Sequence, residues 1–392
     1  VISVAEARAR LLSLVAPLPV EHVGLRALHG RVLAEPVASA HAQPPFAASA
    51  MDGYAVAEDA PAPGARFDVV GEAAAGHLVA GPLRPGEAVR IFTGAPVPDG
   101  TARVLIQEDV TREGDRITLT ADPGPGRHVR PAGGDFAAGH RMGAPRRLGF
   151  ADIALLAAMG HAEAPVHRRP EVAILMTGDE LVTPGEPLPP GHIHASNGYG
   201  LAALLEAAGA RCRLLPLVRD RAEELAEGLR LARGADLIVT VGGASVGDHD
   251  LVAGVAGTEG LDLAFHKVRM RPGKPLLAGR LGAAAMVGLP GNPVSSLVCG
   301  IVFVVPMIRA MQALPPGPEP RAATLAEPLA GNGPREHYMR ARRLADGRLA
   351  GFDRQDSSLL TVLAEADALI VRPPGDGSCM AGATVEAIDL PR

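Results

Sequence analysis

Residues 239–250 read VTVGGASVGDHD. Val239 to Val241 continue the apolar run ADLIVTV, and then Gly242 and Gly243 remove the side chains before Ser245, Gly247, Asp248 and Asp250. A plain turn needs one glycine and one polar residue. Here three glycines and three polar groups close an apolar strand, the composition of a loop whose backbone approaches a ligand and whose side chains meet metal or phosphate. Parallel sheets gather such loops at the carboxyl ends of their strands. The fold therefore turns on whether the neighbouring strands end the same way.

They do. EVAILM (171–176) is followed by TGDEL, CRLLPLV (212–218) by Arg219 and Asp220, and FHKV (265–268) by RMRPGKP. AAAMVG (283–288) is followed by LPGNPVSS, which leads into a helix. Helices are predicted to begin near Asn197, Arg221 and Asp250. This alternation predicts βαβ units and a mostly parallel sheet, with right-handed crossovers that bring all these loops to one edge.

The flanks have a different texture. VISVAEARARLL opens a helix with a Ser3–Glu6 capping box, and the chain then runs extended to about residue 40. Residues 41–130 hold short segments broken by Gly and Pro (RFDVVG, EAVRIFTG, RVLIQEDV, RITLT) and predict a small β-rich lobe. FADIALLAAMGHAEAP (150–165) returns to a helix closed by Gly160. LPPGPEP (314–320) reads as a stiff linker, and the tail as a small β domain. The expected fold class is α/β multidomain. Its division is an N-terminal elongated lobe from 1–40 plus 131–167, an inserted β lobe at 41–130, an α/β domain at 168–313, and a β domain at 321–392.

With 392 residues, 47% hydrophobic and 21% charged, the chain is globular and too long for one ordinary core. The absence of Trp and a net charge of -5 argue against a nucleic-acid surface. Cys212, Cys299 and Cys379 form no CxxC pair and read as structural thiols of a reducing compartment. The start lacks the pattern of a signal peptide, and LVCGIVFVVPMI (297–308) reads as too short for a membrane span and carries Pro306. A cytoplasmic protein with no membrane and no nucleic-acid partner is expected.

The strand-end loops carry both signs of charge. Glu180, Asp220, Asp248 and Asp250 suit a hard cation such as Mg²⁺ that completes its shell with phosphate oxygens. Lys267, Arg269, Arg271 and Lys274 suit anions, and PGNPVSS, with Ser295, offers amides and hydroxyls at a helix start. Together they predict a phosphate-bearing ligand with a metal. Taken singly, TGDE is an ordinary turn, RPGKP a proline-stiffened loop, each carboxylate a solvated group or helix cap, and His192, His194 and His249 surface or packing residues. Five such loops on one edge favour a site. GxxxxGK[ST] and GxGxxG are both missing, which weakens an ATPase or a dinucleotide-binding dehydrogenase.

ASAMDGYAV (48–56), IFTGAPVP (91–98), RPAGGDFAAG (130–139), TGDEL, GGASVGDHD, RPGKP and GLPGNPVSS, in this order, resemble the molybdopterin molybdenumtransferases of the MoeA type, related to the C-terminal domain of gephyrin. The resemblance covers nearly the whole chain. It implies four subdomains, an elongated homodimer, and the last step of molybdenum cofactor synthesis. In that step adenylylated molybdopterin and molybdate give the cofactor and AMP with a divalent cation. Carried over by motif, the implied functional positions are Asp52, Thr93, Asp135, Glu180, Asp220, Asp250, Pro290 and Pro293, with Glu180 and Asp220 on the metal. Lys267, Arg271 and Lys274 fall at basic positions, and Gly242 and Gly243 admit the pterin. Ser245, Lys274 and, from REHYMRARR, Arg340 would hold molybdate. The resemblance also implies that SAMDGYA reaches the cleft of the partner subunit, and that the product is handed to molybdoenzymes or other cofactor-synthesis proteins. Ala244 and Arg271 depart from the usual valine and lysine. Two alternatives stand beside this reading: a molybdopterin-binding scaffold or carrier, and a CinA-type nucleotide pyrophosphatase on the same α/β domain.

Overall fold

The structure, a computed structural model, describes residues 1–77, 79–243 and 251–391. Its central sheet has the order 211–214, 171–176, 237–241, 284–289, 277–281, 261–266. The first four strands are parallel neighbours. Leu277–Leu281, which the apolar runs do not mark, is antiparallel to both its neighbours, so Leu261–His266 again runs with the first four. The sheet is mostly parallel, as expected. CRLLPLV forms a ladder only as far as Leu214, because Pro216 has no N–H for it, and pairing resumes as a single bridge from Val218 to Thr177.

Helices cover both faces. Val172, Ile174 and Met176 enter one core, with helix Asn197–Ala207 and the helix after Asn292. Ala173 and Leu175 enter the other, with helices Ala222–Leu231 and Leu251–Thr258. Two buried faces call for a nearly continuous apolar strand, and all of Leu237–Val241 is buried, with Thr240 the one polar residue in it.

The reading of residues 297–308 needs correction. They belong to one helix, Pro293–Met311, whose 19 residues are long and apolar enough to cross a membrane, although most are buried inside the protein. Pro306 does not end it. A π-helical turn at Gly300–Val304 widens the backbone just ahead of the proline, where a tight turn would clash with the pyrrolidine ring.

The flanks pair across the chain. Strands Val20–Gly24, Glu163–His167, Val32–Leu33 and Arg146–Arg147 form one sheet. Six strands between Gly53 and Leu119 form another. In the first helix, Val4–Ser13, Ser3 Oγ accepts from Glu6 N at 3.1 Å, but the Glu6 carboxylate takes Arg10 at 2.6 Å, so the capping box is half made. In the tail, Met270–Arg271 from the basic loop joins Glu336–Arg343 as a parallel neighbour. The tail is thereby docked against the sheet edge that carries the loops. The three cysteines are free, and burial pushes the Cys212 thiol up to about 12 and raises Cys299 as well.

Candidate active site

The chain runs from strand 171–176 outward to 211–214 and then returns across it to 237–241. That reversal leaves a crevice beyond the carboxyl ends of strands 171–176 and 237–241, the place where such sheets bind ligands. A cleft of 1320 Å³ lies there, lined by Thr177, Glu180, Asp220, Gly242, Gly243, Pro290 and Pro293 among others. Asn197 and, from the tail, Ser358 also line it; neither was read as a site residue from the sequence.

Thr177 organises the carboxylates. Its N–H donates to Val241 O at 3.0 Å and its buried hydroxyl to Asp220 Oδ1 at 2.6 Å. The Asp220 amide in turn donates to Asp179 Oδ1 at 3.3 Å. Among the described residues, no hydrogen bond reaches Asp220 Oδ2 or the Glu180 carboxylate. No group of three His, Cys, Asp or Glu able to hold a metal occurs among the described residues. Glu180 and Asp220 both line the cleft, and two carboxylates suffice only for a cation that takes further oxygens from its ligand and water.

The two glycines are needed for a reason other than room for a ligand. Gly242 has φ +97, and a Cβ there would lie 2.2 Å from Thr177 O. Gly243 has φ +62, and its Cβ would meet Val252 Cγ2 at 2.6 Å. Both line the cleft, but the space a side chain would need is filled by the protein itself. Ser245, Asp248, His249 and Asp250 lie outside the described residues.

The basic residues stand beside the cleft rather than in its lining. Pro275 lines it, whereas Lys267, Arg271 and Lys274 of the same loop do not. The helix start also differs from expectation. Pro293 has no N–H, and the Val294 amide donates to Ser357 O at 3.0 Å, so the tail takes an amide expected to await an oxyanion. Asn292 Nδ2 adds a bond to Ser357 Oγ at 3.1 Å. Ser295 is 4% exposed and is absent from the cleft lining.

Arg340 is bonded within its own domain. It is 1% exposed, and its guanidinium donates to Gln355 Oε1 at 3.2 Å and Asp356 O at 2.9 Å. Through Nε and Nη1 it braces the segment that brings Ser358 to the cleft, so these two nitrogens are already engaged within the tail. Three residues earlier on the same strand lies His337, which the sequence reading missed. Burial, then the charges of Arg271, Arg340, Arg372 and Arg335, lower its pKa to about 4.

A second group sits on the β lobe and the adjoining N-terminal lobe. Asp52 Oδ1 accepts from Thr93 N at 2.7 Å and Thr93 Oγ1 at 2.9 Å, and these bonds lower the Asp52 pKa. Asp135 is exposed on a loop whose backbone bonds Gln43. None of these three lines the cleft of its own chain. His194 lines it, with Nε2 at 3.1 Å from Glu186 O, and His192 Nδ1 lies 3.1 Å from Pro190 O.

Residues 2–160 match the family described as MoeA N-terminal region (domain I and II). Residues 173–310 match the one described as probable molybdopterin binding domain, and residues 322–390 the MoeA C-terminal region (domain IV). A molybdopterin molybdenumtransferase of a Nostoc species is 39% identical over 95% of this chain and 89% of its own. The chain belongs to the MoeA family. Among further MoeA relatives, molybdopterin molybdenumtransferase 2 of Mycobacterium tuberculosis is 36% identical over 94% of each chain. The crystal structure of a MoeA protein from Pyrococcus horikoshii superimposes with a TM-score of 0.84 at 30% identity, covering 99% of both chains. The MoeA fold therefore accounts for nearly the whole chain, including the segments before and after the α/β domain.

Proposed function

We propose that this chain is a molybdenumtransferase that inserts molybdenum into adenylylated molybdopterin, releasing AMP and forming the molybdenum cofactor. The observation that carries this is the cleft at the reversal of the parallel sheet, lined by Glu180 and Asp220, in a chain 39% identical along most of its length to a molybdopterin molybdenumtransferase. The N-terminal and C-terminal family matches disfavour a nucleotide pyrophosphatase built on the α/β domain alone. The retained carboxylates disfavour a pure scaffold.

Glu180 and Asp220 fit a divalent cation, with Mg²⁺ the first choice, because both are hard oxygen donors with oxygens that no described group occupies. Bound there, the cation would offset negative charge developing on the phosphate as the anhydride breaks. Thr177 fixes Asp220 for that role. Lys267, Arg271 and Lys274 would face the phosphates from the cleft's rim, and Gly242, Gly243, Pro290 and Pro293 would form its wall. Ser245, with Lys274, would meet molybdate, and Asp250 the pterin ligand or the metal. Arg340 and Ser295 act through the shape of the tail and the helix.

Asp52, Thr93 and Asp135 would enter the cleft of a second copy. Exposed Phe46 and Met51, each 40% accessible, and Phe150, 85% accessible, are apolar surface on these lobes that a homodimer would cover. Sedimentation at twice the 40.3 kDa chain mass is expected. The four-part division of the chain belongs to the same reading. So do a cytoplasmic location, in keeping with three free thiols, and hand-over of the product to molybdoenzymes or other cofactor-synthesis proteins. AMP release from adenylylated molybdopterin, with and without molybdate, tests the function. Release that depends on molybdate supports it, and no release with both substrates and Mg²⁺ present, or release at the same rate without molybdate, rejects it.

A further inference from the structure

Lys267 has φ +96, further from the left-handed well than His128 at 54 or Ala313 at 56. Glycine adopts this conformation freely and an L-residue does not. Such strain persists only where the surroundings enforce it, and it gathers at ligand clamps. Lys267 is held from both sides. Its N–H donates to Leu276 O at 2.9 Å, and its carbonyl accepts from Ile2 N at 3.2 Å.

Ile2 then accepts from Arg269 N at 2.8 Å, so its two backbone groups straddle buried Val268. Ile2 is itself fixed, because the helix capped by Ser3 sinks Val4, Ala7 and Leu11 into the main core. On the far side of the loop, Arg269 O accepts from Glu336 N at 3.1 Å. Val268 and Met270 turn into the core, while Arg269, Arg271 and Lys274 stay exposed.

We infer that Ile2 is a positioning residue for the basic loop, its backbone holding Lys267 in a strained conformation that aims the lysine at the anionic ligand. The inference rests on the assignment of Lys267 to ligand binding made above.

Two measurements on the full chain test it. The first needs no ligand. Lys267→Gly and Lys267→Ala both remove the ammonium, but only glycine relieves the backbone. Lys267→Gly should therefore melt higher, whereas at an unstrained site alanine wins through unfolded-state entropy. A lower or equal Tm for Lys267→Gly overturns the strain.

The second is a double-mutant cycle on the Kd for adenylylated molybdopterin. Lys267→Ala should weaken binding about ten-fold in the wild type, as loss of a charge-assisted contact does. Ile2→Pro, which lacks the N–H, should weaken it comparably, and in that background Lys267→Ala should add less than about two-fold. Ile2→Val should bind like the wild type. If Ile2→Pro does not fold, Ile2→Gly should shift the cycle in the same direction. A full loss from Lys267→Ala in both backgrounds overturns the positioning role. A wild-type chain that does not bind this ligand overturns the assignment of Lys267 and the positioning with it, while the melting comparison still reports on the strain alone.

Discussion

Thr177 and Asp220 join the ends of neighbouring chain segments across the floor of the cleft: the buried Thr177 hydroxyl donates to Asp220 Oδ1 at 2.6 Å. One carboxylate oxygen is thereby anchored, and the other has no hydrogen bond among the described residues. A carboxylate oriented in this way is prepared to receive a ligand.

Removing the anchor and removing the charge should therefore differ in size. Thr177→Val keeps the shape of a buried side chain and should reduce AMP release about 10–100-fold, the usual effect of losing an orienting partner. Asp220→Asn should reduce it about 10³-fold under the same Mg²⁺, because several kcal/mol of charge stabilisation go with the cation. Glu180→Gln should behave as Asp220→Asn does. All three should unfold at urea concentrations near the wild type's. Wild-type rates from the two carboxylate variants would move the metal elsewhere.

Gly242→Ala and Gly243→Ala are expected to act on the fold before any ligand is present. Each places a Cβ against protein atoms, at 2.2 Å from Thr177 O and 2.6 Å from Val252 Cγ2 respectively, at positive φ. A loss of about 1–3 kcal/mol or more in ligand-free stability is predicted. Denaturation curves that overlay the wild type, with binding alone impaired, would restore the simpler idea of space kept for the pterin.

His337 makes stability depend on pH. Its pKa falls from an ordinary 6.5 to about 4 in the fold, so between these values the unfolded chain binds the extra proton. The stabilisation is complete above 6.5 and is lost as pH falls toward 4. The whole effect is about 3 kcal/mol. Urea unfolding at a series of pH values should show this slope, and His337→Gln should flatten it. An NMR titration of His337 with a midpoint near 6.5 would contradict the burial argument.

Arg340→Ala should destabilise the tail by about 2–4 kcal/mol, since it strips buried acceptors of their donor. Arg340→Lys should rescue little, because an ammonium cannot span Gln355 and the Asp356 carbonyl as the planar fork does. Limited proteolysis near residues 353–359 reads the effect directly. A normally stable Arg340→Ala with weakened molybdate dependence would return Arg340 to the oxyanion.

Much of this was legible in the sequence, and the reasons are local. EVAILM and DLIVTV are buried on both faces, so every residue announces a strand, and the loops that follow announce the cleft. Ser3 marks the first helix because capping is a contact three residues long. What the sequence does not show arises where a distant segment intervenes. Arg340 looks like a free cation until Gln355 and Asp356 fold over it, and the Val294 amide looks available until Ser357 arrives from the tail. Leu277–Leu281 is a strand because its neighbours pair with it, not because LAGRL favours one. The glycines were seen, but their reason, Thr177 and Val252, needs coordinates.

The most direct measurement is the ratio of molybdenum incorporated to AMP released by the wild-type chain, supplied with adenylylated molybdopterin, molybdate and Mg²⁺. The account predicts that the two rise together, mole for mole, and that Asp220→Asn loses both. AMP released at full rate while molybdenum stays free, with or without molybdate, would mean a nucleotide pyrophosphatase and contradict it.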